Sequence, residues 1–127
     1  MKDLRKFYIN GEWVDPISSE QRDVINPATE SKVAMINMGS VEDVEKAVAA
    51  ANMAFPEYAQ TEKAERLALL EKLLEIYNER YEEMAQAITT EMGAPISMSR
   101  EAQADCGSGH LQGFIDAMRA QEERVML

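Results

Sequence analysis

Cys106 and His110 are the residues of this chain whose types could form a nucleophile pair or bind a metal. They are four positions apart, so on a helix both side chains share one face. A structural zinc site uses four ligands, and a cysteine nucleophile needs a base, an orienting group and oxyanion donors. Nothing in the sequence marks those groups. We therefore expect a small buried thiol and a partly exposed histidine.

Three glycines after Cys106 have the spacing of a dinucleotide-binding fingerprint. Gly107, Gly109 and Gly113 read G-x-G-x-x-x-G. Such a motif binds pyrophosphate only where a β-strand ends and a helix begins, and residues 99–106 have no strand pattern. We interpret the match as accidental and expect the small residues to let a neighbouring element approach closely, or alternatively to split the helical segment in two.

Other catalytic motifs do not occur in the sequence. It contains no G-x-S-x-G elbow, no Walker loop and no H-E-x-x-H pair. The residues alone therefore predict no catalytic and no cofactor-binding residue.

Composition describes an acidic globular chain. Its 127 residues are 46% hydrophobic and 28% charged, with a formal net charge of −10. Nucleic acid and anionic membranes are poor partners, because binding phosphate needs clustered lysine and arginine. No apolar run reaches the length of about 18 residues that a membrane helix needs, and no signal peptide is recognisable. The single cysteine fits a reducing compartment, so the expected location is the cytoplasm.

Residues 1–39 are predicted to be β-rich. Asn10-Gly11 separates two short runs of β-formers, and this dipeptide is a strong hairpin signal because both turn residues need positive φ. Asn26-Pro27 marks a second turn, since proline moves the preceding residue out of the helical region. Residues 32–38 form a further predicted strand.

Residues 40–127 are predicted to be helical. Ser40 is a good N-cap for a first helix, which Pro56 is expected to end. A longer segment follows, with a break expected near Asn78, because an unbroken helix would span roughly 46 Å. A last stretch covers about 98–123 and is weakened by its glycines. These segments give three to four helices.

The apolar stripe over residues 67–88 has two interpretations. Its heptad-like spacing could form a coiled coil, which would make the chain a standalone helical interaction or oligomerisation module. Leu69, Leu73 and Ile76 widen the apolar face, which favours packing in a globular core. Core packing is the preferred interpretation, and the module is the alternative.

In this order, the segments resemble the N-terminal part of the aldehyde dehydrogenase superfamily. The resemblance lies in the two turns, in the helix over residues 41–51 and in the E-x-G-x-P ending of residues 87–95. Tyr58 departs from the family, which commonly has tryptophan there. The resemblance implies an α/β parent fold, with residues 1–127 as the N-terminal part of the NAD(P)-binding domain and no second domain.

The resemblance also implies the oxidation of an aldehyde to a carboxylic acid with NAD or NADP. In the family a cysteine attacks the aldehyde, hydride passes to the nicotinamide, and a glutamate activates the water that hydrolyses the thioester. All of these lie downstream of the segment matched here, so the 127-residue chain is expected to be inactive. Cys106 is not that nucleophile. Uncovered apolar stripes favour association, and a homo-oligomer is expected.

Some family members hold a structural cation near the Asn-Pro turn. Carried over, this places the Ile25 carbonyl and the Glu91 carboxylate beside an ion, and both are oxygen ligands that suit a hard cation. The alternative, that Glu91 only ends a helix near solvent, is the preferred interpretation.

Overall fold

The computed structural model describes residues 2–121, with side chains from Leu4 onward. Strands come first and helices follow, as the sequence predicts. The strands are β1 (Lys2–Leu4), β2 (Phe7–Ile9), β3 (Glu12–Val14), β4 (Gln21–Asn26) and β5 (Ser31–Asn37). The helices are α1 (Val41–Tyr58), α2 (Lys63–Glu79), α3 (Tyr81–Met92), α4 (Ile96–Met98) and α5 (Ala104–Ala120), with a π-helical turn at Ser99–Gln103.

The chain divides into two compact units. The first covers the chain up to Gln60 together with Thr90–Gly93, and it contains all the strands and α1. The second covers Thr61–Thr89 and the chain from Ala94 onward, so it consists of helices.

The predicted hairpin of the first unit is confirmed. Strands β2 and β3 pair in antiparallel register, with Ile9 opposite Glu12. Asn10 and Gly11 have φ of 54° and 79°, which is the pair of positive values that a type I′ turn requires. Across the two strands, the rings of Tyr8 and Trp13 lie with their centroids 5.2 Å apart.

The other sheet has three strands in the order β1-β5-β4. Strands β4 and β5 are antiparallel around the predicted turn. The Asn26 carbonyl accepts the Glu30 N–H at 2.8 Å, and its side-chain Oδ1 accepts the Ala28 N–H at 2.8 Å. Strand β1 pairs in parallel with β5. This strand was missed by the sequence analysis, because three residues are too few to show an alternating pattern.

Helix α1 begins as predicted but ends later than predicted. The Asp43 N–H donates to the Ser40 Oγ at 3.2 Å, and the Ser40 N–H donates to Asp43 Oδ2 at 2.9 Å, which is a capping box. The expectation that Pro56 ends the helix is wrong, since α1 continues to Tyr58. Proline removes one hydrogen bond to the preceding turn, and so close to the helix end the remaining bonds continue: the Ala59 N–H donates to the Phe55 carbonyl at 2.8 Å.

The long apolar segment of the second unit is divided, as predicted near Asn78. Helix α2 ends at Glu79, Arg80 has the non-helical backbone of a C-cap, and α3 starts at Tyr81. The last helical stretch is also divided, at the π-helical turn, where the Ala104 N–H bonds to the Ser99 carbonyl. It starts two residues earlier than predicted, at Ile96, and α5 ends at Ala120. The predicted end at residue 123 lies outside the described residues.

Helices α2 and α5 pack against each other in the second unit. Leu70, Leu74 and Tyr77 of the apolar stripe are half-buried, whereas Leu69 and Leu73 are exposed. The stripe therefore contributes to this helix contact, but no residue of α2 is fully buried, so core packing stays a prediction. The residues that were expected to widen this packed face lie outside it, because α5 covers only one side of α2.

Candidate functional site

Cys106 and His110 both lie on α5 and are both exposed. The prediction of a buried thiol is therefore wrong. The neighbouring Gly107 is the residue that faces α2, and a one-residue step on a helix turns Cys106 away from that contact. In the part of the chain that the structure describes, no three His, Cys, Asp or Glu side chains are grouped to hold a metal ion.

The three glycines with fingerprint spacing lie inside α5. A π-helical turn precedes them, so the strand-to-helix turn that a dinucleotide fingerprint requires is not what these residues form. Their packing roles differ. A Cβ on Gly107 would overlap the Tyr77 ring, but nothing lies within 4 Å of a Cβ on Gly109 or Gly113. The expected close approach is therefore confirmed for Gly107 and wrong for the other two.

Asp43 is the ionisable group that the fold of the first unit surrounds most closely, with 5% of its surface exposed. Its Oδ1 accepts the Ile17 N–H at 2.9 Å, and its Oδ2 accepts the Ser18 N–H at 3.4 Å and the Ser40 N–H at 2.9 Å. The hydrogen bond from Ile17, followed by that from Ser40, lowers the pKa of Asp43 to about 2. Asp43 is thus a structural carboxylate that fastens the β3–β4 connection to α1.

The sequence analysis did not find the bonds of Asp43 to the connection. The spacing Ser40-x-x-Asp43 is the signal of a capping box and could have indicated the bonds to Ser40. Ile17 is 26 residues away in the chain, and no local pattern encodes that partner.

Glu91 lies in the last turn of α3 and is exposed, and the segment that follows it lies against the Asn26-Pro27 turn. A Cβ built on Gly93 would be 3.1 Å from the Pro27 Cβ. On the turn side, the β4–β5 register shifts between Val24 and Ile25, as in a β-bulge. The structure therefore brings the two segments that carry the predicted cation ligands next to each other.

The first unit has concavities on its described surface, and two of them are large enough to consider here. The larger, of about 880 Å³, is lined by β1, β3 and the connection around Ile17; the smaller, of about 380 Å³, lies between the β2–β3 turn and α1. The smaller one is lined by alanines of α1 and by Tyr8 and Ile9. Neither brings together a nucleophile, a base and an oxyanion donor, which acyl or hydride chemistry would need.

Buried apolar side chains are few, and exposed ones are many. Among the described residues, four apolar side chains are buried: Ala34, Ala85, Ala104 and Ile115. In contrast, Val41, Phe55 and Phe114 are 71%, 65% and 68% exposed. Soluble monomers rarely leave large contiguous apolar patches in water. None of the described helices combines the length and hydropathy that a bilayer span requires.

Short strands followed by packed helices are the architecture of a segment of an α/β protein. The sequence profile of the aldehyde dehydrogenase family matches residues 13–126. The chain belongs to the aldehyde dehydrogenase family and corresponds to its N-terminal segment.

This chain is similar to aldehyde dehydrogenases both in sequence and in structure. A Staphylococcus aureus (strain bovine RF122 / ET3-1) protein, provisionally named an aldehyde dehydrogenase, is 44% identical over 93% of this chain and 25% of its own length. An aldehyde dehydrogenase from Bartonella henselae superposes with a TM-score of 0.95 at 45% identity, over 100% of this chain and 27% of that one.

A second solved structure is a cysteine-to-alanine variant of aldehyde dehydrogenase C from Pseudomonas syringae, in complex with NAD+ and octanal. It superposes with a TM-score of 0.92 at 39% identity, over 98% of this chain and 26% of that one. The chain thus spans about a quarter of the length of the relatives it matches.

Proposed function

We propose that this chain is the N-terminal part of the NAD(P)-binding domain of an aldehyde dehydrogenase, with residues 1–39 as its β-rich part and 40–127 as its helical part. The observation that carries the proposal is the match of nearly the whole chain to about a quarter of each relative. Its contribution is a scaffold: the hairpin, the connection fastened by Asp43 and the α2–α5 pair hold surfaces on which the rest of the enzyme folds.

The assembled enzyme oxidises an aldehyde to a carboxylic acid. The Pseudomonas syringae relative was solved with NAD+ and octanal, and a Mycobacterium tuberculosis relative at 28% identity was solved with NAD+. NAD, or NADP, supplies the hydride acceptor when bound, and water supplies the added oxygen. We expect neither nucleophile nor base from the chain by itself, because Cys106 and His110, the candidate pair of the sequence, are both exposed on α5.

Two measurements test this proposal. The purified chain, given octanal and NAD+, is expected to form no NADH. A chimera in which the chain replaces the matching quarter of the Bartonella henselae enzyme is expected to form NADH, with the intact enzyme as control. Aldehyde-dependent NADH formation by the chain alone would overturn the inactive-segment proposal. A folded but inactive chimera would overturn the scaffold role.

The assembled enzyme is proposed to be a cytoplasmic homo-oligomer. The supporting observations are the single cysteine, which fits a reducing compartment, and exposed apolar side chains outside α1, such as Phe114, that an assembly would cover.

A cation site at the Asn-Pro turn is also proposed, with the Ile25 carbonyl and the Glu91 carboxylate as ligands. The close approach of Gly93 to Pro27 supports it, and oxygen donors of this kind suit a hard cation. The test is the melting temperature of the chain in Na+, K+, Mg2+ or Ca2+. One ion should raise the melting temperature of the wild type and of Glu57→Gln, but not of Glu91→Gln. Equal shifts in all three chains, or none, would remove the site.

A further inference from the structure

Helix α1 has two apolar faces that differ in size and in what lies beside them. Ala47, Ala50, Ala51 and Ala54 line the groove next to the β2–β3 turn. The adjacent side of the helix carries larger side chains at spacings of three, four and seven: Val41, Val44, Val48 and Phe55, here called the α1 valine face. The helix thus meets the hairpin of its own unit with its smallest side chains.

The valine face is the exposed one. Its residues Val41, Val44, Val48 and Phe55 are 71%, 59%, 52% and 65% exposed. A helix of a globular protein ordinarily turns its large apolar stripe toward a core and its polar residues toward water. In α1, large β-branched and aromatic side chains occupy the solvent side, so this surface is suited to a partner that buries it.

Charge argues against a second copy as that partner. Glu45 is exposed on α1 beside the valine face, about 40° from Val41 at 3.6 residues per turn, and the whole chain has a formal net charge of −10. Two copies joined through this face would bring like charges together, which disfavours the contact. A partner with an apolar centre and a neutral or basic rim would fit better.

Relatives identify the class of that partner. Each contains about three-quarters of a chain that this sequence does not match, while the fold of the matched quarter is the same. We propose that the α1 valine face is a docking surface for the remaining part of an aldehyde dehydrogenase, and that the two polypeptides associate even when supplied as separate chains. This inference rests on the proposed function.

The test uses the chain in full and the Bartonella henselae enzyme without its matching quarter, co-expressed with a tag on one partner only. Val48→Glu places a charge on the valine face. Met53→Glu is the matched control, because Met53 is 72% exposed on the same helix but points about 140° away from Val48 at 3.6 residues per turn. We expect co-purification with wild type and Met53→Glu, and at least tenfold less with Val48→Glu.

The same pair of substitutions in the full-length chimera provides a second measurement, independent of whether the separate remainder folds. Val48→Glu should lower the melting temperature of the chimera well below that of Met53→Glu. Equal effects of the two substitutions, in both formats, would overturn the docking surface. Light scattering that shows a dimer of the isolated chain, broken by Val48→Glu alone, would overturn it in favour of self-association.

Activity separates this inference from the proposed function. A complex that depends on Val48 but forms no NADH would support the docking surface and contradict the scaffold role in an active enzyme. NADH formation by a chimera that tolerates Val48→Glu as well as Met53→Glu would support the proposed function and contradict the docking surface.

Discussion

The ring of Tyr77 lies directly over Gly107, at the contact between α2 and α5. A Cβ placed on Gly107 would overlap the Tyr77 hydroxyl oxygen and its Cζ. The same hydroxyl donates to the Ala104 carbonyl at 2.7 Å, beside the π-helical turn. The glycine therefore provides the space, and the tyrosine fills that space while satisfying a backbone acceptor.

Gly107→Ala is expected to destabilise the chain, and Gly109→Ala to stabilise it. At Gly107 the added methyl meets a ring held by a hydrogen bond, and overpacking of this kind costs roughly 1–3 kcal/mol of unfolding free energy. At Gly109 nothing lies within 4 Å of the new Cβ, so alanine adds helix propensity of up to about 1 kcal/mol. Urea unfolding followed by circular dichroism measures both.

A double variant serves as the control for this steric explanation. Tyr77→Leu removes the ring, so adding Gly107→Ala in that background should have little further effect. An unchanged penalty in the Tyr77→Leu background would show that the glycine acts through its backbone instead of through this contact.

The helix packing of the second unit gives another prediction, on the apolar stripe of α2. Leu74 is half-buried, whereas its neighbour Leu73 is 49% exposed. Leu74→Ala should lower the unfolding free energy by about 1–2 kcal/mol, less than the 2–5 kcal/mol of a fully buried leucine. Leu73→Ala should change it by less than about 0.5 kcal/mol. A larger effect at Leu73 than at Leu74 would contradict this packing, because it would mean that α2 packs through the side that carries Leu73.

Local features of this chain were predictable from the sequence, and long-range ones were not. Asn10-Gly11 specifies its own turn, because positive φ is a property of those two residues. Ser40 caps α1 through neighbours three residues away. By contrast, the partner of Gly107 is 30 positions earlier in the chain, and nothing in the sequence distinguishes this glycine from Gly109.

The candidate site also has features that the sequence predicts and features that it does not. The spacing of residues indicates which of them share a helix face, but not which face another element covers. For this reason the expectation that Cys106 is buried was wrong, and the residue is exposed. On α1 the large apolar side chains are exposed, while alanines line the groove at the hairpin. Which apolar face is buried depends on the other elements of the fold.

Acid should weaken the fold of the first unit through Asp43. The pKa of its carboxyl is lowered from 3.8 to about 2, chiefly by the hydrogen bond from the Ile17 N–H. Because the folded pKa lies below the unfolded one, the stabilisation is complete above about pH 4 and is lost as the pH falls toward 2. Unfolding by urea at pH 6, 4, 3 and 2 should therefore show a decline in stability at the acid end.

Asp43→Asn should remove much of that decline, and it should also lower stability at pH 6, where the wild-type carboxylate is ionised. Glu42→Gln is the matched control, since Glu42 is an exposed acid in the same helical turn. An acid profile that Asp43→Asn leaves unchanged, or that Glu42→Gln flattens equally, would contradict the role of Asp43.

Asparagine substitutions at Gly11 and Gly93 should separate backbone strain from steric contact. Both glycines have positive φ, of 79° and 74°, and asparagine tolerates that region better than other residues with a Cβ. A Cβ on Gly11 has open space around it, whereas one on Gly93 would be 3.1 Å from the Pro27 Cβ. Gly11→Asn should therefore change the unfolding free energy by less than about 1 kcal/mol, and Gly93→Asn should lower it by roughly 1–3 kcal/mol.

Adding Pro27→Ala should restore part of the loss in Gly93→Asn and none in Gly11→Asn. Equal losses at the two glycines would mean that the strained backbone, and not the contact with the Asn-Pro turn, makes Gly93 necessary.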